Sequence, residues 1–319
     1  MRRLRVLPHA VRLVCCLLML LVHSNGAKAE IPETVLPRSA RLVVAQIGNN
    51  PLKYHAQLAP LVAYVADRMA DLGIRRGEVV VARNLTELSR KLAAGEVDWC
   101  NATIHAAFSL EADGLAEPLL LRHKQGVSLY KTVFVSRAEE PLSSLADLRA
   151  KRIAFGETDS TSSFHLPSAL AVEAGLALFP LQQPEQAVPP AKTGYLFAGT
   201  PLNQATWVVR GLADAAAFSN LDWETPQSVP PVLRDRLKMF HVSQPVPRAL
   251  ELVSPALDAR LRDRLREILL NAPADPEGRL ALEAYQQTSG FATISDEQKE
   301  LLSKARALLK RTPIPQGQP

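Results

Sequence analysis

The chain has 319 residues, 47% of them hydrophobic and 22% charged, with 15 Gly and 24 Pro, a composition that excludes a disordered or collagen-like polymer and suits one or two packed domains. Its formal net charge of +5 comes from 37 Lys/Arg against 32 Asp/Glu. Five of those bases and none of the acids lie in residues 1–29, so the rest of the chain is balanced at 32 of each, which argues against nucleic acid as a partner.

At the N-terminus Arg2, Arg3, Arg5 and Arg12 precede the apolar run Leu13–Val22, and Ala27-Lys28-Ala29 supplies small residues at the two positions a signal peptidase reads. Residues 1–29 are therefore expected to be a cleaved export signal. The run is short for a membrane span, and nothing later approaches the roughly 20 apolar residues a span needs. Cys15 and Cys16 lack the small-residue pattern that precedes a lipidated cysteine. Cleavage leaves Cys100 as the one cysteine of an exported, soluble protein, with no internal disulfide. Set in the strand-like "VDWCNA", its thiol reads as buried and inert.

Short apolar runs at 41–48, 78–82, 97–102, 132–136, 152–156 and 215–220 read as strands. Segments with helical spacing, such as Leu58, Leu61, Val62 and Val65, lie between most of them. The alternation predicts an α/β architecture with largely parallel sheets. Asn84 with Glu87, Ser144 with Asp147 and Ser295 with Gln298 have the spacing of helix starts. Leu261, Leu265, Ile268 and Leu269 form one helical stripe, and Leu301, Leu302, Ala305, Leu308 and Leu309 form another. The Pro- and Gln-rich residues 312–319 are expected to be a disordered tail.

About 290 residues after cleavage usually make two lobes. The extended stretches 133–137 and 240–247 flank a self-contained central block and are expected to be hinge crossovers. The lobes are then 30–134 with 242–311, and 135–241. His55, His105, His123, His165 and His241 are dispersed, which argues against a metal site, although His105 follows a strand end that should face the cleft. Trp99, Trp207 and Trp223 read as core. Nucleotide-loop, Gly-x-Ser-x-Gly and His-Glu-x-x-His motifs are absent, as is any nucleophile–base–orienter set, so no enzyme and no cofactor is expected.

In "RIAFGETDSTSSFHLP" (152–167) a buried strand runs into four hydroxyl residues and then a helix. Such oxygens take orphan backbone donors at a helix start, and the same geometry attracts anions. A plain cap and a ligand site both fit. The order of four segments goes further: "FGETDSTSSFHLPSAL", then "NQATWVVRGLADAAAFSNLDWE" (203–224), then "FHVSQPVPRALELVSPALDARLRDRLREILLNA", then "DPEGRLALEAY" with "SGFATIS". In these the chain resembles the periplasmic substrate-binding proteins of phosphonate, phosphite and phosphate ABC importers.

The resemblance implies a two-lobed type II periplasmic binding protein fold, each lobe a mostly parallel sheet flanked by helices. It also implies a small phosphorus oxyanion as ligand, an inner-membrane permease as partner, a monomer and a periplasmic location. By position, Ser160, Thr161 and Ser162 would hold the oxyanion, with Ser163 where many members have Gly. Asn203 would donate to an oxygen, Asp222 would meet an amino group on the ligand, and Tyr130 of "LYKTVF" and His105 would face the cleft. A sensor of the same fold, working with a membrane histidine kinase, is the alternative; an exported α/β enzyme ranks below it.

Overall fold

A computed structural model describes residues 37–311; the expected signal and the expected tail lie outside the described residues. In chain order the first part runs β1 (Arg41–Ile47), α1 (Pro51–Asp67), β2 (Arg76–Ala82), α2 (Leu85–Ala93), β3 (Trp99–Ala102), α3 (Ile104–Ala112) and β4 (Glu117–Lys124). The two-residue β5 (Leu129–Tyr130) leads into β6 (Thr132–Arg137), β7 (Arg152–Phe155), a wide turn at Thr161–His165 that continues as α4 (Leu166–Glu173), β8 (Leu178–Pro180) and β9 (Thr193–Phe197). Next come α5 (Pro201–Val209), β10 (Ala215–Ser219), the short α6 (Asn220–Glu224) and α7 (Pro231–Arg234), and β11 (Leu237–Val242). The chain then returns through β12 (Val246–Pro247), β13 (Leu250–Val253), α8 (Ala259–Asn271), α9 (Pro276–Ala284), β14 (Thr288–Ala292) and α10 (Asp296–Arg311).

Two six-stranded sheets result, in the orders β14-β4-β13-β3-β1-β2 and β11-β6-β10-β7-β9-β8, with β5 and β12 as a separate two-stranded ladder. Both sheets are mixed: the second is mostly parallel, with three of its five pairings parallel, and the first has two of five. β1 pairs in parallel with β2 and β3, and β7 with β9 and β10, where helices carry the chain back across. β13 is antiparallel to β3 and β4, and β6 to β10 and β11, because strands that enter or leave a lobe need no helical crossover.

The ladder also relocates the crossover. Val133–Arg137 lie in β6, paired on one side with β10 and on the other with the edge strand β11 of the second sheet, so they are not a hinge. The apolar run Val133–Val135, buried on both faces, is what an interior strand demands. The chain passes between lobes at Leu129–Lys131 and again at Ser243–Pro247, where Val246 faces Tyr130 and Pro247 faces Leu129 in register.

The expected helix starts are built. Asn84 Oδ1 accepts from the Glu87 N–H at 2.9 Å, Ser144 and Asp147 form a capping box, and Ser295 and Gln298 exchange two bonds at 2.9 and 3.2 Å. Leu265, Ile268 and Leu269 of α8 join Trp99 and Leu120 in the core on one face of the first sheet. Leu302 and Ala305 of α10 join Cys100 and Phe108 on the other. Leu166, from the second lobe, is buried in that same cluster, which makes the lobes share apolar packing. Trp207 and Trp223 are partly buried against the second sheet. No described helix is long and apolar enough to cross a membrane.

Candidate ligand-binding cleft

A cavity of about 960 Å³ opens between the two sheets. The residues following β1, β3, β7 and β9 line it (Gly48, Thr103, Gly156 and Gly199 among them), placing it outside the carboxyl ends of those strands, where open α/β sheets bind ligands.

The hydroxyl cluster forms one wall. Ser160 is the cap: its Oγ accepts from the Ser163 N–H at 3.3 Å, and its carbonyl accepts from both Phe164 and His165 at 3.2 and 3.1 Å, which gives the wide turn. Thr161, 1% exposed, meets the first lobe directly, its Oγ1 accepting from the His105 N–H at 3.3 Å. Since His105 sits in the first turn of α3, two helix N-termini converge at Thr161. The Ser162 carbonyl accepts from Thr132 Oγ1 at 2.8 Å, which anchors the turn to β6. Tyr130 is buried beside Ser162 and Thr161, whose side chains favour its ionised form while burial pushes its pKa up to about 12. Gly156 permits all this: a Cβ there would lie 2.1 Å from Ser163 Oγ.

Of the expected site residues, Ser160, Thr161, Ser162, Tyr130 and His105 line the cavity, and Ser163, Asn203 and Asp222 do not. Ser163 packs its hydroxyl against Gly156 and gives its carbonyl to the Gly156 N–H at 3.0 Å. Asn203 spends its amide on the Ala198 carbonyl at 3.0 Å, bracing the loop that carries Gly199. Asp222 is held by its own helix start, accepting from the Ser219 and Ser228 hydroxyls at 2.5 and 3.4 Å.

The sequence reading missed a set of cations. Lys53, Arg83, Arg122, Lys124 and Arg248 line the cavity, against the acids Glu157, Asp159 and Glu283. Arg122 is 1% exposed, stacked 3.8 Å over the Tyr285 ring and bonded from Nε to Thr288 Oγ1 at 2.9 Å. Its charge faces Glu251, which is fully buried and accepts from Trp99 Nε1 at 2.6 Å and the Tyr285 hydroxyl at 3.0 Å. Burial nonetheless raises the Glu251 pKa.

Among the described residues Lys124 and Arg248 have no carboxylate bonded beside them, and the carboxylate that favours their charges is Asp222. Arg248 Nη1 donates to the Lys124 carbonyl at 3.0 Å, and no ion pair to either side chain is found among the described residues. Burial, helped by the Arg122 and Arg248 guanidiniums, brings the Lys124 pKa down to about 8. Burial lowers that of Arg248 as well. Arg122 and Lys124 share a face at the end of β4 in "LLLRHK", an alternation that was there to be read.

Cys100 is fully buried, its thiol pKa raised by desolvation. Among the described residues no group of three or more His, Cys, Asp or Glu is placed to hold a metal ion.

A family model described as the periplasmic substrate-binding protein of a phosphonate ABC transporter matches residues 48–298. Among solved structures, the Xanthomonas citri protein XAC2383 is 36% identical over 86% of this chain and 98% of its own. Its TM-score is 0.82 in a structure bound to chloride ion and 0.81 in one bound to ATP. A binding protein component of an ABC phosphonate transporter from Pseudomonas aeruginosa, 17% identical over 86% of this chain and 87% of its own, superposes with a TM-score of 0.61. PhnD1 from Prochlorococcus marinus, in complex with methylphosphonate, is 15% identical over 86% and 100%, with a TM-score of 0.60. These last two share the fold.

Proposed function

From the premise that the chain belongs to the periplasmic substrate-binding proteins of phosphonate ABC transporters, we propose that it captures a phosphorus oxyanion (phosphonate, phosphite or phosphate) between its lobes and presents it to an inner-membrane permease. The observation that carries this reading is the Thr161 turn. Buried hydroxyls, Tyr130 and two converging helix N-termini offer donors to an anion from both lobes. Neutral donors select a tetrahedral oxyanion by direction and leave release easy. The relative that is 36% identical has been seen with two anions, chloride and ATP. Ligand bridging the lobes favours the closed arrangement by differential affinity.

Thermal unfolding against phosphate, phosphite and methylphosphonate tests the reading. A midpoint rising with the logarithm of ligand concentration supports it. No shift at millimolar concentrations of any of them, with a shift on a sugar or neutral amino acid, overturns it.

A further inference from the structure

The cleft has more charge and more room than one oxyanion uses. Its volume of about 960 Å³ is at the upper end of the ~300–1,000 Å³ typical of sites that enclose whole organic ligands. Its donors also fall into two chemically different sets. The Ser160–Ser162 turn is neutral and second-lobe. Lys124 and Arg248 are cationic and belong to the hinge: Lys124 ends β4 and bridges Val127, while the Arg248 N–H donates to the Ser128 carbonyl at 2.8 Å, one residue beyond the β5–β12 ladder.

Arg248 is tied to the Lys124 backbone at the cavity wall. Arg122 and Arg248 both disfavour the Lys124 charge, and Arg122 that of Arg248. Like charges gathered in a half-buried setting cost folding energy unless an anion joins them. Arg122 answers to Glu251. The carboxylate that most affects Lys124 and Arg248 is Asp222, which is already held by Ser219 and Ser228. Nothing in the described protein completes the pair.

Resting on the phosphorus-oxyanion reading above, we infer that the ligand carries two anionic groups, the phosphorus group on the Ser160–Ser162 turn and a second, phosphate or carboxylate, on Lys124 and Arg248. The ligand class is thus a diphosphate or a phosphorylated or phosphono-carboxylate compound. Because the second subsite is built on the ladder that joins the lobes, its occupant also holds the crossover strands in place.

Calorimetry with four probes tests this: phosphate and methylphosphonate with one anionic group, pyrophosphate and phosphonoacetate with two. Wild type is expected to bind a two-group probe at least tenfold more tightly than a one-group probe. The better of pyrophosphate and phosphonoacetate identifies the second group as phosphate or carboxylate. Lys124→Gln and Arg248→Gln should each weaken the two-group probe about ten- to a hundredfold, the range for a lost bond to a charged group, and change one-group binding by less than about threefold. Arg248→Lys should restore part of the loss, and unchanged circular dichroism shows that the variants fold. Equal wild-type affinity for both probe types, or equal losses on both in Lys124→Gln, overturns the inference and leaves the oxyanion reading standing. Binding of none of the four probes to folded wild type overturns both.

Discussion

His105 of α3 and His165 of the second lobe stack face to face, ring centroids 3.3 Å apart and planes 6° from parallel, so an aromatic contact clasps the two lobes beside the cleft. Burial holds both rings neutral, pulling His105 down to about 4 and His165 to about 3, where the neighbouring His105 adds to the effect. The unfolded chain takes up protons near pH 6.5, before either folded ring does. The stability these neutral rings contribute is therefore complete above pH 6.5 and is lost as pH falls from there toward 4 and then 3, with each ring contributing a slope of up to about 1.4 kcal/mol per pH unit. Urea unfolding at pH 7.5, 6 and 5 should show the decline, and His105→Phe should make it shallower by about one proton.

The turn separates two roles that lie side by side. Ser160→Ala removes the cap oxygen and should cost roughly 0.5–2 kcal/mol of stability. Thr161→Ala should instead weaken methylphosphonate or phosphate about ten- to a hundredfold, as expected for a lost bond to a charged oxygen. Denaturant midpoints and calorimetry on both variants give the comparison; Thr161→Ala binding as tightly as wild type would return the turn to an ordinary helix start.

Gly156→Ala places a methyl 2.1 Å from Ser163 Oγ and 2.7 Å from its Cβ. Because Ser163 is buried and cannot swing clear, the turn must shift. The expected cost is about 1–3 kcal/mol, measurable as a lower unfolding midpoint. A loss of oxyanion affinity should accompany it, since the donors at 160–162 move with the backbone.

Removing the Glu251 carboxylate should do harm from a distance. Glu251→Ala strands Trp99 Nε1, the Tyr285 hydroxyl and the charge of Arg122 in the core, a loss of about 3 kcal/mol or more. Glu251→Gln keeps part of the hydrogen bonding and should fall between that variant and wild type in chemical denaturation.

Apolar runs such as those at 132–136 and 215–220 matched strands to within a residue because β-periodicity is a local property. β4 was missed because His123 and Lys124 break its apolar character, and β11 was read only from Phe240 onward and as a crossover, being an edge strand with only Leu237 buried. The hydroxyl turn, on the wall of the cavity, was legible as a helix start because capping needs small hydroxyl residues there. Lys124 and Arg248 were not, being 124 positions apart and joined by a single bond to a carbonyl. Only the strand order brings them together. Asn203 and Asp222 lie outside the cavity lining because their side chains are engaged by the nearest loop and helix end.

β13 lies between β3 and β4, so the first sheet stays split in two until residues 250–253 have been made, whereas the second draws all six strands from residues 132–242. A polypeptide emerging from its N-terminus therefore has everything needed for the later lobe while the earlier one still waits for its central strand, and long-range pairings of that kind form slowly. Assembly is thus expected to run against chain order. A chain cut short before Leu250 should keep the second sheet and lose the first.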